Sequence, residues 1–403
     1  MTLFRESKYA RDGSESERTL QTHRERVLMA IKREQPDRIP MDMGGQLTGP
    51  AEVTSVTNLS GGYSSLARNL NIDLENPKIS SFYFVLNFDE RILQRFDIDI
   101  RHIMWGFEAV SQEQRSELIF DEYGVGYRSM GYFNHPVSNP LGKAKTVKEV
   151  EAYSWPDPHK LEYLDGQHLR EVETRAKYLH EETDYAVMVE PGILGYIFGM
   201  YSYLVGWNRA LTDLKLNPEF MKAVIDKTTE IQLEMIDTLY GAIGDYVDIA
   251  CVADDLGTQR SAIMSLRQWR EFFRPDFARV INRIRKHTNA TIFMHNDGAI
   301  TQYLNDLVEV GVGIINPIQP LASKMDPGYL KENFGNILSF HGGIDVQRLL
   351  PSGTVQEVER EVEKTISILA PGYILAPSHL IGPDIPPENI VAMYDTARKF
   401  GIS

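Results

Sequence analysis

The sequence predicts an α/β protein, a (β/α)8 TIM barrel with an N-terminal extension and a small β-hairpin insertion. From residue 161 onward, short apolar runs alternate with helical stretches, the pattern of a parallel sheet with crossover helices. About eight core runs are countable along the chain, the number that closes a barrel. The competing architecture, a doubly wound open sheet, brings a Gly-rich phosphate turn after its first strand, and Gly44-Gly45 lacks the rest of that fingerprint.

Composition supports this class. A chain of 403 residues is long for one ordinary domain and normal for a barrel with insertions. Hydrophobic residues make up 42%, enough for a large core. The net charge of −14 is offset by no block of Lys or Arg, which argues against nucleic acid and anionic membranes as partners. Cys251 is the sole cysteine, so neither an internal disulfide nor a Cys-rich zinc motif is available and a reducing cytoplasm is expected. No run approaches the ~20 apolar residues that span a bilayer.

Residues 1–20 are polar and read as a flexible arm, leaving 21–403 as one barrel domain with an insertion near 105–160. Helical spacing of Val27, Leu28 and Ile31 predicts a helix over 22–34, stopped by Pro36 and Pro40. A first buried strand follows at 39–43. Short helices are expected over 64–70 and 89–95, the latter feeding a strand at 98–104. Residues 116–129 alternate about a turn at Glu122-Tyr-Gly124, which predicts an antiparallel hairpin outside the barrel wall. After a short helix at 147–152, the expected helices are 161–182, 195–216, 219–243, 267–287, one reaching 310, 325–332, 355–369 and 387–400. The strands between them are 185–190, 246–250, 292–294, 314–316, 337–340 and 373–376. No internal repeat or low-complexity segment is seen.

In a parallel barrel every strand end opens onto one face, so residues just past apolar runs are the candidates for chemistry. His295 and His379 both stand there, with Asp297 beside the first. Two imidazoles and a carboxylate match the three protein ligands of a catalytic zinc site with an open fourth position. Asp297 also stands where it would cap a helix beginning at Gly298. Asp254 and Asp255 follow the strand at 246–250, and one of them is expected to orient a substrate or act as a general base. His341, before Gly342-Gly343, is a further catalytic candidate or a packed histidine at a tight turn. Gln319 and Glu190 are candidate substrate contacts, each with a plain loop role as the alternative. The aromatic helix bearing Tyr196, Met200, Tyr201, Tyr203 and Trp207 is either core or a lid, Tyr201 being the expected substrate contact. Cys251 reads as a packed apolar residue.

The run from Arg24 to Pro40 resembles the opening helix and first strand of the uroporphyrinogen decarboxylase superfamily, which includes corrinoid-dependent methyltransferases. The resemblance continues, in order, through Phe96–Arg101, Asp254–Gln259, His295-Asn-Asp-Gly298, Asn316-Pro-Ile-Gln319, His341–Asp345, and His379 with Pro386-Pro-Glu-Asn389. It implies a barrel with its site at the C-terminal mouth. The decarboxylases carry an arginine-rich loop after the first strand, whereas residues 41–48 here contain no arginine, although His379 matches the place of their histidine and Asp99 stands near their aspartate. The methyltransferase branch binds zinc through His-x-Cys and a later Cys. Here His295 matches the His, Asp297 replaces the first Cys, and His379 falls near the second. A carboxylate and imidazoles make a harder, more Lewis-acidic site than thiolates do.

The resulting expectation is a metal-dependent methyltransferase, with Zn2+ on His295, Asp297 and His379. It would demethylate a small O- or N-methyl compound and pass the methyl to a corrinoid carried by a partner protein. A homodimer is compatible with this reading. The alternatives are a metal-independent decarboxylase or lyase of a small acid, with His379 as proton donor, and a non-catalytic binding barrel.

Overall fold

The structure, a computed structural model, describes residues 21–44, 62–75, 85, 88–106, 118–130 and 133–400. The expected arm at 1–20 and most of the loop after the first strand lie outside these residues. The first helix, His23–Ile31, starts in a capping box of Thr22 and Glu25, which satisfies two otherwise orphaned amides reciprocally. Its buried face (Val27, Ala30, Ile31) packs against Ile100, Ala186, Met188, Ile249, Cys251, Phe293, Ile314 and Ile374. These residues lie low on the barrel strands, so the helix stoppers the N-terminal end of the barrel. Ser339 Oγ bonds to the carbonyls of Ala30 and Ile31 and fixes it there.

The strands are β1 (Ile100–Ile103), β2 (Ile119–Phe120), β3 (Gly126–Met130), β4 (Phe133–Ser138), β5 (Ala186–Val189), β6 (Ile249–Ala253), β7 (Thr291–His295), β8 (Val312–Ile318), β9 (Ser339–Ile344) and β10 (Tyr373–Pro377). Seven of them form one parallel sheet in the order β1-β5-β6-β7-β8-β9-β10. The segment Pro40–Asp42 occupies the eighth position. Met41 bridges Leu375 in parallel, Asp42 N–H donates to the Leu375 carbonyl at 2.9 Å, and Asp99 N–H donates to the Met41 carbonyl at 3.0 Å. The expected parallel α/β barrel is therefore the fold observed.

Three departures have physical causes. The helix expected over 195–216 is two, Phe198–Val205 and Trp207–Leu216, because Gly206 at φ 90° breaks the ladder. The strand expected at 246–250 begins at Ile249 instead, since a 3-10 turn at Gly244–Tyr246 extends the preceding helix. The hairpin is one edge of a three-stranded antiparallel sheet, β2-β3-β4. The third strand, β4, which the sequence reading did not include, contains Pro136; a register shift between Gly126 and Tyr127 accommodates it on an edge strand. No helix of the described residues is long and apolar enough to cross a membrane.

Candidate metal centre and the polar layer beneath it

Alternate residues of a strand point to one face, and in this barrel the inward parity changes character with height. Beneath, it is apolar: Ile100, Met188, Cys251, Phe293, Ile314 and Ile374. One step higher it is alanine on β6 and β10 (Ala253, Ala376) and polar on the other six of the eight strands, with Asp42, His102, Glu190, His295, Asn316 and His341. Burial forces these groups to bond to one another, and they do so in a continuous line. His295 Nδ1 lies 2.5 Å from Asn316 Oδ1, and Asn316 Nδ2 lies 2.8 Å from His341 Nδ1. His341 Nε2 is 3.0 Å from Asp42 Oδ2, Asp42 Oδ1 is 2.8 Å from His102 Nε2, and His102 Nδ1 is 2.5 Å from Glu190 Oε1. Burial pushes the Asp42 carboxyl up, but the His102 charge and the bonds from His102 and His341 outweigh it and hold it well below the usual range. Burial likewise opposes charge on His102, yet Asp42 and Glu190 together raise its pKa to about 10.

Above this layer the ends of β7 and β10 bring together His295, Asp297 and His379. Their ligand atoms all lie within 4.8 Å of one another. Asp297 Oδ1 is 4.0 Å from His295 Nε2, and Oδ2 is 3.5 Å from His379 Nε2. His295 is buried, and burial, set against the Asp297 charge, lowers its pKa and favours the neutral imidazole that a metal requires. His379 and Asp297 keep 22% and 38% of their side-chain surface open, so the trio faces the mouth. The donor set fits a zinc-type ion: two imidazoles, one carboxylate and an open side.

Gln319, at the end of β8, holds Asp297 in place. Its Nε2 donates to Asp297 Oδ1 at 2.8 Å, while its Oε1 accepts from Gly298 N–H at 2.9 Å. Asp297 caps no helix, since the next helical turn begins only at Thr301. Of the two adjacent aspartates, Asp255 faces the trio and accepts from Tyr203 Oη at 3.3 Å. Burial first, then the Asp297 charge, raise its pKa to about 6. Asp254 turns away to accept from the amides of Phe198 (3.0 Å) and Gly199 (2.7 Å), capping that helix; burial raises its pKa to about 7. Tyr196 packs near Tyr203, ring centroids 6.5 Å apart, and forms part of the same wall.

The structure thus brings Gln319 and Asp255 to the trio, and leaves the other candidates elsewhere. His341 and Glu190 belong to the buried layer below. Tyr201 points between helices, its hydroxyl 2.5 Å from Asp213. Asp99, fully buried, meets Arg26 at 2.6 Å and Arg38 at 2.7 Å at the start of β1, the end of the barrel opposite the mouth. Cys251 is buried in the apolar cluster, as expected. Asp42, His102 and the side chain of Asn316 were not singled out from the sequence, although strand alternation carries the signal: His102 shares the parity of Ile100, and Asn316 that of Ile314.

A parallel α/β barrel with chemistry-bearing side chains gathered at its strand ends defines the class: a barrel of the enzyme-like type, its site at the C-terminal mouth. More narrowly, the chain belongs to the uroporphyrinogen decarboxylase (URO-D) family, whose model matches residues 133–400. It is 24% identical over 319 residues to the uroporphyrinogen decarboxylase of Vesicomyosocius okutanii subsp. Calyptogena okutanii (strain HA), covering 76% of this chain and 81% of that one. It also superposes on a methyltransferase from Methanosarcina mazei with a TM-score of 0.61, over 94% of this chain and 99% of that one. At 15% identity, the latter similarity shows a shared fold.

Proposed function

We propose that the protein is a metal-dependent methyltransferase that removes a methyl group from a small O- or N-methyl compound and delivers it to a corrinoid protein docked at the barrel mouth. The observation that supports this best is the convergence of His295, Asp297 and His379 at the mouth. Zinc held by these three would supply Lewis acidity toward the oxygen or nitrogen that loses its methyl. The remaining roles belong to the chain itself. Gln319 keeps the Asp297 carboxylate turned toward the two imidazoles. Asp255, with Tyr203 behind it, presents a hydrogen-bonding group to the substrate. The aromatic faces of Tyr196 and Tyr203 exclude water from the mouth. A reducing cytoplasm suits a protein whose single cysteine is a buried, unpaired thiol.

Metal content by plasma mass spectrometry, followed by methyl transfer to a reduced corrinoid, tests this reading. About one equivalent of zinc is expected in the wild type, with both zinc and transfer lost in His379→Ala. Protein that stays metal-free after zinc is offered overturns it. One observation favours a second reading: the sequence relative named above is a decarboxylase. In that reading His379, beside Asp297, donates a proton to a substrate carbanion, and metal-free protein decarboxylates a small acid at full rate.

A further inference from the structure

The buried polar layer has a direction, and the direction ends at the proposed metal. We propose that Asp42, His341 and Asn316 are positioning residues, a one-way hydrogen-bond line that holds His295 with its Nε2 lone pair open to the mouth, anchored by His102 and Glu190. This rests on the metal reading of His295, Asp297 and His379.

The donors follow from chemistry at each joint. An ionised Asp42 only accepts, so the ring nitrogens facing it, His341 Nε2 at 3.0 Å and His102 Nε2 at 2.8 Å, both carry hydrogens. His102 Nδ1 meets a second carboxylate, Glu190, at 2.5 Å, so it donates as well and the ring is an imidazolium. The elevated pKa of His102 agrees with this. Asn316 Nδ2 donates to His341 Nδ1, which leaves Asn316 Oδ1 to accept from His295 Nδ1–H. Turning the Asn316 amide over would demand a second proton on His341. The only nitrogen left on His295 is Nε2, on the Asp297 side. Metal-ligating histidines are oriented by such partners, whose loss weakens metal binding about 10–100-fold. Here the support runs through Asn316 and His341 to a buried charge cluster of Asp42, His102 and Glu190. Glu190 Oε2, fully buried, finds no hydrogen-bond partner among the described residues, so this end of the line carries more acceptor than donor. Net negative charge there favours a hydrogen on His295 Nδ1 and electron density on Nε2.

Two measurements on the full chain test the line. The first is zinc affinity by competition with a chromophoric chelator, for wild type, Asn316→Leu, Asn316→Asp and His341→Phe. The second is 15N NMR of histidine-labelled, zinc-free protein, with the His295 signals identified by their loss in His295→Gln. The expected wild-type tautomer is Nδ1–H. Asn316→Leu should bind zinc about 10–100-fold more weakly. Asn316→Asp keeps an acceptor for His295 and should bind close to the wild-type value. His341→Phe frees the Asn316 amide to turn, so it should show mixed tautomers at His295 and intermediate affinity. Unchanged affinity in both Asn316→Leu and His341→Phe, or an Nε2–H tautomer in the wild type, overturns the proposal. If the wild type takes no zinc, the metal reading fails and the tautomers alone judge the line. If Asn316→Leu does not fold, His341→Phe against Asn316→Asp decides.

Discussion

Removing the Asp99 carboxylate should destabilise the barrel without touching its mouth. Asp99 is fully buried and takes hydrogen bonds at 2.6 Å from Arg26, 2.7 and 3.0 Å from Arg38, and 2.8 Å from the Met41 amide, with His23 Nδ1 at 2.9 Å. Asp99→Ala strands two guanidinium groups in a low-dielectric environment, and breaking a buried pair costs about 3–5 kcal/mol. Arg26 keeps Asp37 and Arg38 keeps Asp97, so the lower end, about 3 kcal/mol, is the value to expect. That is a large fraction of a typical stability of about 5–15 kcal/mol. Asp99→Asn should not rescue it, because both carboxylate oxygens face donors and an amide must turn its own N–H toward one of them. The pH dependence has a definite sign. Burial raises the Asp99 pKa, but His23, Arg38 and Arg26 outweigh it and leave it lowered. A lowered folded pKa contributes stability above the unfolded value of about 3.9, lost as pH falls through the folded one. The gap between wild type and Asp99→Ala should therefore be flat from neutral pH to about pH 5 and close only in strong acid. Urea unfolding followed by circular dichroism reads it. An Asp99→Ala variant that unfolds at the wild-type urea concentration but raises KM would refute the structural role and restore a substrate contact.

Asp254→Ala should cost about 1–3 kcal/mol by leaving buried amides unsatisfied, and Asp254→Asn should recover only part of this, because the amides of Phe198 and Gly199 donate to different oxygens and an amide side chain offers one. Because burial raises the Asp254 pKa to about 7, the stability of its protonated form is present below the unfolded pKa and lost as pH rises through about 7. Asp254→Asn should accordingly gain on wild type in urea titrations between pH 4 and 8. Gly298 sits at φ 79°, and a Cβ there would lie 2.6 Å from the Thr258 carbonyl oxygen. Gly298→Ala should displace Asp297, lowering zinc content more than melting temperature. Tyr201→Phe removes the hydroxyl bonded to Asp213 and should cost about 1 kcal/mol of stability, with KM unchanged in steady-state assays.

The structure brings His295, Asp297 and His379 together for a specific reason. Strand ends of a closed parallel barrel converge whatever lies between them, so a residue just past an apolar run is placed by topology alone. Asp254 also follows a strand end, but local backbone decides its direction: the amides of Phe198 and Gly199, 56 and 55 residues earlier, claim its carboxylate. No spacing in the chain reveals that. Tyr201 fails for a related reason, since the Gly206 break lets its helix turn that ring toward Asp213.

The polar layer is the more instructive case. Parity within each strand is legible, and it puts His102, Glu190, His295, Asn316 and His341 indoors. What makes them neighbours is the stagger between strands: Ile100 pairs with Ala186, Met188 with Ile249, and Ile249 with Thr291. Stagger is a property of barrel closure and has no local signature. With it in place, each inward polar residue stops being an isolated buried-polar penalty and becomes a partner for the next, from Glu190 round to His295. On the proposal made above, the chemistry at the mouth depends also on Asp42, His102 and Asn316, which the strand-end argument does not reach, and Asn316 is the joint through which that dependence can be measured.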